Sequence, residues 1–200
     1  GTGNFNESTA KLYTDHMLLT SNSLITREVK RMFTFLENTY RSTSYRKLIV
    51  APFSLRNKIS YLIKKEIKNA KEGKKAYIHV KLNSLVDKRI INLLYKASQE
   101  GVKIRMIIRG ICSLIPGIPG LSDNIQVFSI VDKFLEHSRI YIFHNNGNEQ
   151  IFLSSADWMV RNLDNRIEVA VPIMNQDLKE ELMKYMDIQF HDNTKARIIN

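Results

Sequence analysis

Between Lys47 and Ile108, short apolar runs alternate with amphipathic stretches of helical period, and that rhythm leaves few architectures open. Lys47-Leu-Ile-Val-Ala51 ends at Pro52, as a buried strand would. Ser54 stands where a helix cap is wanted, before a helix to Lys71 with Leu55, Ile59, Leu62, Ile63 and Ile67 on one face and Gly73 as its stop. Tyr77 to Leu82 reads as a strand. Val86 to Glu100 reads as a helix through Ile90, Ile91, Leu94 and Ala97, closed by Gly101. Val102 to Ile108 reads as a further strand. A β-α-β-α-β order predicts parallel strands joined by right-handed crossovers. In open sheets of this kind, ligands sit beyond the carboxyl ends of the strands. Those ends carry Lys81-Leu-Asn83, Arg109-Gly110 and Ser154-Ser155-Ala-Asp157.

On either side the pattern changes. Thr20 to Glu37 reads as an amphipathic helix through Ile25, Val29, Met32, Phe33 and Leu36, and Asn38 to Arg46 as a polar linker. After a Pro-Gly-rich loop from Ile111 to Asn124, short strands are expected at 125–130, 139–143, 150–153 and 166–173. Asn145-Asn-Gly-Asn148 reads as a hairpin turn between two of them. A helix from Asp177 to Met186 and a short tail complete the reading. The fold class is α/β, a mixed sheet flanked by helices. Residues 47–200 are expected to form one domain, and residues 1–46 the end of a preceding domain plus a linker. Gly1-Thr2-Gly3-Asn4 looks like a site loop with no strand before it, as in a piece cut from a longer protein.

Composition narrows the function. With 44% apolar residues in 200, one good core can be buried. No run of about eighteen apolar residues could span a membrane. The first residues have neither the basic start nor the apolar stretch of a signal peptide. The lone cysteine, Cys112, cannot make a disulfide within the chain and suits a reducing cytoplasm, and no Cys/His cluster has zinc spacing. The net charge of +10 attracts polyanions such as nucleic acid, anionic membrane or phosphate chains. Lys64, Lys65, Lys68, Lys71, Lys74 and Lys75 fit a solvated helix face equally well.

Two features carry chemistry. Gly1-Thr2-Gly3-Asn4-Phe5 aligns with Ser154-Ser155-Ala156-Asp157-Trp158, and eleven residues beyond Asn4 and Asp157 stand Asp15 and Glu168. That repeat suggests a duplicated protein whose first copy is mostly absent. The second feature is Glu136-His137-Ser138-Arg139, a histidine and a cation two residues apart, followed by Ser154-Ser155-Ala156-Asp157. It resembles the phospholipase D superfamily motif, His-x-Lys followed by Gly/Ser-Ser-x-Asn, with two departures. Arginine replaces lysine at 139, and the motif's later aspartate is missing, position 144 being histidine.

Both departures are features of the family 1 polyphosphate kinases. Leu12-Tyr13-Thr14-Asp15, Lys81-Leu82-Asn83-Ser84-Leu85-Val86-Asp87, Arg109-Gly110-Ile-Cys112, Ser129-Ile-Val-Asp132, Leu135-Glu136-His137 and Leu153-Ser-Ser-Ala-Asp-Trp158 resemble that family's C-terminal region in order and spacing. The resemblance implies a phospholipase-D-like fold and two such domains with the active site between them. It implies reversible transfer of the terminal phosphate of ATP to polyphosphate, through a phosphohistidine upstream of Gly1. It implies Mg2+ held by residues outside this chain and ATP, ADP and polyphosphate as partners. It further implies a homo-oligomeric full-length enzyme and a cytoplasmic location compatible with peripheral association with the inner membrane. No specific nucleic-acid partner is expected, and the chain alone is expected to be inactive.

Tyr13, Arg109 and His137 match nucleotide-contacting positions of the family. In phosphoryl transfer, catalysis is largely positioning plus cationic and hydrogen-bond donors. The expected catalytic group is His137, as a general acid or as holder of the transferring group. Asn4, Tyr13, Arg109, Arg139, Ser154 and Ser155 are expected to bind substrate, the two arginines through rigid forks. Metal ligands are expected nowhere in the chain. The competing readings are a phospholipase-D-type phosphodiesterase, which calls for Lys at 139 and Asp near 144, and a non-catalytic polyanion-binding module. His79, His144 and Trp158 read as structural.

Overall fold

The computed structural model describes residues 1–38 and 44–199. A short helix, α1 (Glu7–Ala10), and a two-residue strand, β1 (Tyr13–Thr14), precede α2 (Ser23–Glu37). Asn22 caps α2 by accepting from the amides of Leu24 and Ile25. There follow β2 (Ile49–Ala51), α3 (Leu55–Lys71), β3 (Tyr77–Leu82), α4 (Lys88–Gln99) and β4 (Lys103–Ile108). The remainder holds β5 (Ile125–Ile130), β6 (Leu135–Glu136), β7 (Arg139–Phe143), β8 (Gln150–Ser154), β9 (Glu168–Pro172), α5 (Gln176–Phe190) and β10 (Ala196–Ile199). The turn between β7 and β8 puts Asn145, Asn146 and Gly147 at positive φ, as the Asn-Asn-Gly string anticipates.

Eight strands form one mixed sheet in the order β10-β5-β4-β3-β7-β8-β9-β2. β3, β4 and β5 are parallel neighbours, and every other pairing is antiparallel. The expected parallel run therefore holds for β3 and β4, with β5 added beside them, and fails for β2. It points the same way but lies at the far edge, because the β7-β8-β9 meander is inserted beside β3. Other expectations are also corrected. The tail is β10, paired with β5, and α5 runs on to Phe190, whose buried ring gives the extra turn its purpose. Ser54 occupies the cap position of α3, but its hydroxyl bonds the backbone of Val50. Of the expected linker, residues 39–43 lie outside the described residues.

Both faces of the sheet are buried, so the strands alternate between two apolar layers. Along β7, Tyr141 and Phe143 join Leu55, Ile63, Leu94 and Trp158 under α3 and α4, while Ile140 and Ile142 pack with Leu182, Met186 and Phe190 of α5. The strand directions bring the carboxyl ends of β3, β4 and β8 and the amino ends of β7 and β9 to one edge of the sheet. The first residues of the chain dock there, since β1 pairs in parallel with β6, Tyr13 opposite Leu135 and Thr14 opposite Glu136. A second tie is α2, where Ile25 packs on Leu48 and Val50. The buried Glu28 carboxylate of α2 accepts the amides of Arg46, Lys47 and Leu48 at 2.7, 2.9 and 2.8 Å.

Candidate active site

Asn83, one residue beyond β3, organises the edge. Its amide donates to Asp157 Oδ1 at 2.8 Å and its side-chain nitrogen to the carbonyl of His137 at 3.1 Å. Its side-chain oxygen accepts Nε and Nη2 of Arg109 at 2.9 and 2.7 Å. One short side chain thus fixes the ends of three strands. Gly110 permits the packing, because a Cβ there would lie 2.8 Å from the Asn83 carbonyl.

His137 is held from the other part of the chain. Its Nδ1 lies 2.9 Å from Asp15 Oδ1, and its ring stacks on Tyr13 with centroids 4.9 Å apart. Asp15 is in turn fixed by the Thr2 hydroxyl at 2.6 Å. Gly3 makes room for it, since a Cβ there would fall 2.0 Å from the carboxylate. Burial and the Arg139 guanidinium push His137 below its ordinary pKa, against the opposing pull of Asp15. The ring is therefore neutral near pH 7, set to accept or hold more than to donate. An anionic phosphate arriving beside it raises its affinity for a proton again. Arg109 belongs to the same group, and its charge also acts on His137.

The remaining expected residues are placed differently from one another. Arg139 is buried, and its fork is turned onto Asp157, at 3.3 and 3.1 Å, with Nη1 on the carbonyls of Thr2 and His137. Here it holds the loop together and does not present a free fork. The buried Ser154 hydroxyl accepts the amide of Ala156 at 3.1 Å, and the Ser155 hydroxyl donates to Glu168. Asn4 is exposed and lines a cavity with Tyr13 and Asp15.

The repeat read from the sequence is present in three dimensions. The Thr2 amide donates to the His16 carbonyl at 2.9 Å, the His16 amide to the Thr2 hydroxyl at 3.0 Å, and that hydroxyl to Asp15. The Ser155 amide donates to the Val169 carbonyl at 3.1 Å, the Val169 amide to the Ser155 hydroxyl at 3.2 Å, and that hydroxyl to Glu168. Bond for bond, the two frames match. Glu168 also accepts from Asn162 at 2.6 Å.

The acids at this edge do not fit a divalent metal. Asp15 is spent on His137 and Thr2, Asp157 on Arg139 and two amides, and Glu168 on Ser155 and Asn162. Among the described residues no group of three or more His, Cys, Asp or Glu could hold one. Sequence reasoning quoted Asn83 within a string without seeing its role, and it missed the Asp15–His137 contact. The repeat and the Leu12-Tyr13-Thr14-Asp15 string each point to Asp15, but neither gives its partner.

Residues 48–200 match the model of polyphosphate kinase C-terminal domain 2, and residues 1–42 that of C-terminal domain 1. The chain belongs to the polyphosphate kinase family. It is 54% identical over its whole length to a polyphosphate kinase of Vibrio cholerae, covering 28% of that protein. A crystal structure of polyphosphate kinase from Porphyromonas gingivalis superposes on all of it with a TM-score of 0.96 at 47% identity, the match spanning 31% of that chain. The chain is therefore less than a third of the length of these polyphosphate kinases. A phospholipase D family member, Nuc from Salmonella typhimurium, aligns with 77% of the chain and 97% of its own length, with a TM-score of 0.56 at 16% identity. That likeness shows a phospholipase-D-like fold for the chain. Among the described residues no helix is long and apolar enough to cross a membrane.

Proposed function

We propose that this chain forms one side of a two-fold site that moves the terminal phosphate of ATP onto polyphosphate, and back, through a phosphohistidine on the other side. The observation that carries this reading is the grip on His137. Its ring is oriented by Asp15 and Tyr13, residues from the segment matching one C-terminal domain, while the histidine itself lies in the segment matching the other. The repeated frame supplies the counterpart. Glu168 stands where Asp15 stands, positioned to orient a histidine upstream of Gly1.

In this reading the upstream histidine nitrogen attacks the terminal phosphorus of ATP, and the bond to the ADP oxygen breaks. A terminal oxygen of polyphosphate then attacks the phosphorus and releases the histidine. Arg109, fixed by Asn83, meets the charge spread over the phosphoryl oxygens. His137, neutral when the site is empty, takes up a proton as phosphate arrives and shares that charge. Soluble ATP as substrate and a cytoplasmic location follow as parts of the same proposal.

Phosphorus NMR tests it. The 200-residue chain should make no ATP from polyphosphate and ADP, whereas the full-length parent should. His137→Ala in the parent should lower turnover by about a hundredfold or more, while polyphosphate binding changes little. Clear turnover by the isolated chain, or a stable and fully active His137→Ala parent, would overturn the reading.

A further inference from the structure

Beside His137, where β3 and β6 meet α5, lies a buried polar cluster that the proposed chemistry does not use. Lys81 of β3 is 1% exposed, and its ammonium donates to Glu136, to the Tyr185 hydroxyl at 2.6 Å and to Gln189 Oε1 at 2.8 Å. Three donors meet three acceptors, so the ammonium is fully satisfied. Glu136 Oε2 also accepts from Tyr185 at 3.0 Å and from Gln189 at 2.8 Å. Such a closed network costs desolvation that a set of apolar side chains would not, and burial of an ion pair is a poor route to stability. Its placement needs another explanation.

Glu136 is the residue before His137, in a strand only two residues long whose partner strand is equally short. Backbone pairing of that length holds little by itself. Tyr185 touches both sides of the joint, bonding Glu136 and packing edge-on against His16 at 4.7 Å. Those two residues are the chain neighbours of His137 and Asp15. We infer that Lys81, Glu136, Tyr185 and Gln189 are positioning residues for His137, a frame that clamps β6 against β1 so that the Asp15–His137–Tyr13 contact keeps its geometry. No member of the frame touches the reacting groups. Their effect passes through the imidazole, where a misplacement of about 1 Å can cost on the order of a hundredfold in rate.

The inference rests on His137 acting in phosphoryl transfer, so one readout is kept independent of turnover. The probe variant is Lys81→Met/Glu136→Gln, which removes both charges together and strands neither. In the histidine-labelled 200-residue chain, the two ring nitrogens of His137 should have well-separated nitrogen-15 shifts, as a ring fixed by Asp15 requires. In the double variant they should move towards the averaged values of a free imidazole. In the full-length parent, kcat should fall by roughly 10- to 100-fold with KM for ATP within about twofold, while Glu66→Gln, buried on α3 and far from the site, leaves kcat within about twofold. If the double variant does not fold, Tyr185→Phe takes its place, with an expected loss of about threefold in kcat and the same nitrogen signature. Unchanged histidine shifts, or a fall in melting temperature with unchanged kcat per folded enzyme, would overturn the frame. A wild-type parent without kinase turnover would sink the proposed function alone, and the nitrogen shifts would still decide the frame.

Discussion

The frames around Asp15 and Glu168 share their hydrogen bonds but not their surroundings. Around Glu168 the aromatic residue of the repeat, Trp158, is fully buried, and its loop is locked by Arg56, which forks onto both Asp87 and Asp164. Around Asp15 the corresponding aromatic, Phe5, is 80% exposed. Within this chain, one frame rests on a packed apolar layer and the other does not. The hydroxyl–carboxylate pattern is therefore a local property of the loop, kept by a few backbone and hydroxyl bonds, whereas rigidity comes from the layer beneath. A second contrast concerns what each acid holds: Asp15 a histidine ring, Glu168 the amide of Asn162.

The sharpest break between the halves should be in stability. Trp158→Ala should cost about 3–5 kcal/mol, because the ring leaves a cavity in a close-packed layer. Phe5→Ala in the same chain should stay within about 0.5 kcal/mol. Urea unfolding of the two variants measures the difference, and equal costs would mean that the aromatic residues are equivalent after all.

Turnover should show the reverse, namely equality. In the full-length parent, Asp15→Asn and Glu168→Gln should each lower kcat on the order of a hundredfold, since each loosens the ring that its half is meant to orient. A parent that tolerates Glu168→Gln but not Asp15→Asn would show the site to be one-sided.

A smaller effect separates the hydroxyls. Ser155→Ala and Thr2→Ala each remove a donor to a carboxylate and an acceptor for an amide, a loss of about 1–2 kcal/mol where the frame is well packed. Ser155→Ala should show that loss in the melting curve, and Thr2→Ala a smaller one, because the first loop has less structure to lose. A larger penalty at Thr2 would make the first loop the more rigid of the two.

The mildest test is titration. His137 is held below its ordinary pKa, so the unfolded chain takes up this proton before the folded one does. Stability from this group should be constant above about pH 6.5 and fall as pH drops towards the folded-state pKa. Asp15→Asn removes an upward pull and should lower the midpoint of His137 further, while added tripolyphosphate should raise it in the wild-type chain. Proton NMR of the ring, assigned with His137→Gln, reads both directions, and an upward move in Asp15→Asn would reject the electrostatic account.

Much of this was legible in the residues. Helical period and Gly stops located α3 and α4, and positive-φ asparagines marked the β7–β8 turn, because these signals depend on neighbours in sequence. The place of β2 was not legible. Its apolar run fits either edge of a sheet, and the inserted meander that decides the matter lies a hundred residues later. The same holds for β1 and β6, each too short to leave a periodic trace. At the site, the repeat and the His-x-Arg spacing pointed to Asp15 and His137 separately. Their contact depends on a long-range docking that no local pattern encodes. Arg139 shows the limit from the other side: its residue type suggests a phosphate fork, whereas its bonds to Asp157 here come from long-range packing that no local pattern encodes.

The last strand has a consequence for handling the protein. β10 covers the outer edge of β5, pairing Ala196 to Ile199 with Ile130 to Val127. On it the exposed Arg197 is a charge of the kind that discourages edge-to-edge stacking. Deleting 196–199 would bare a six-residue strand rich in Val, Phe and Ile, and a trimmed chain should self-associate as concentration rises, visible as growth in light scattering while its circular dichroism stays nearly unchanged.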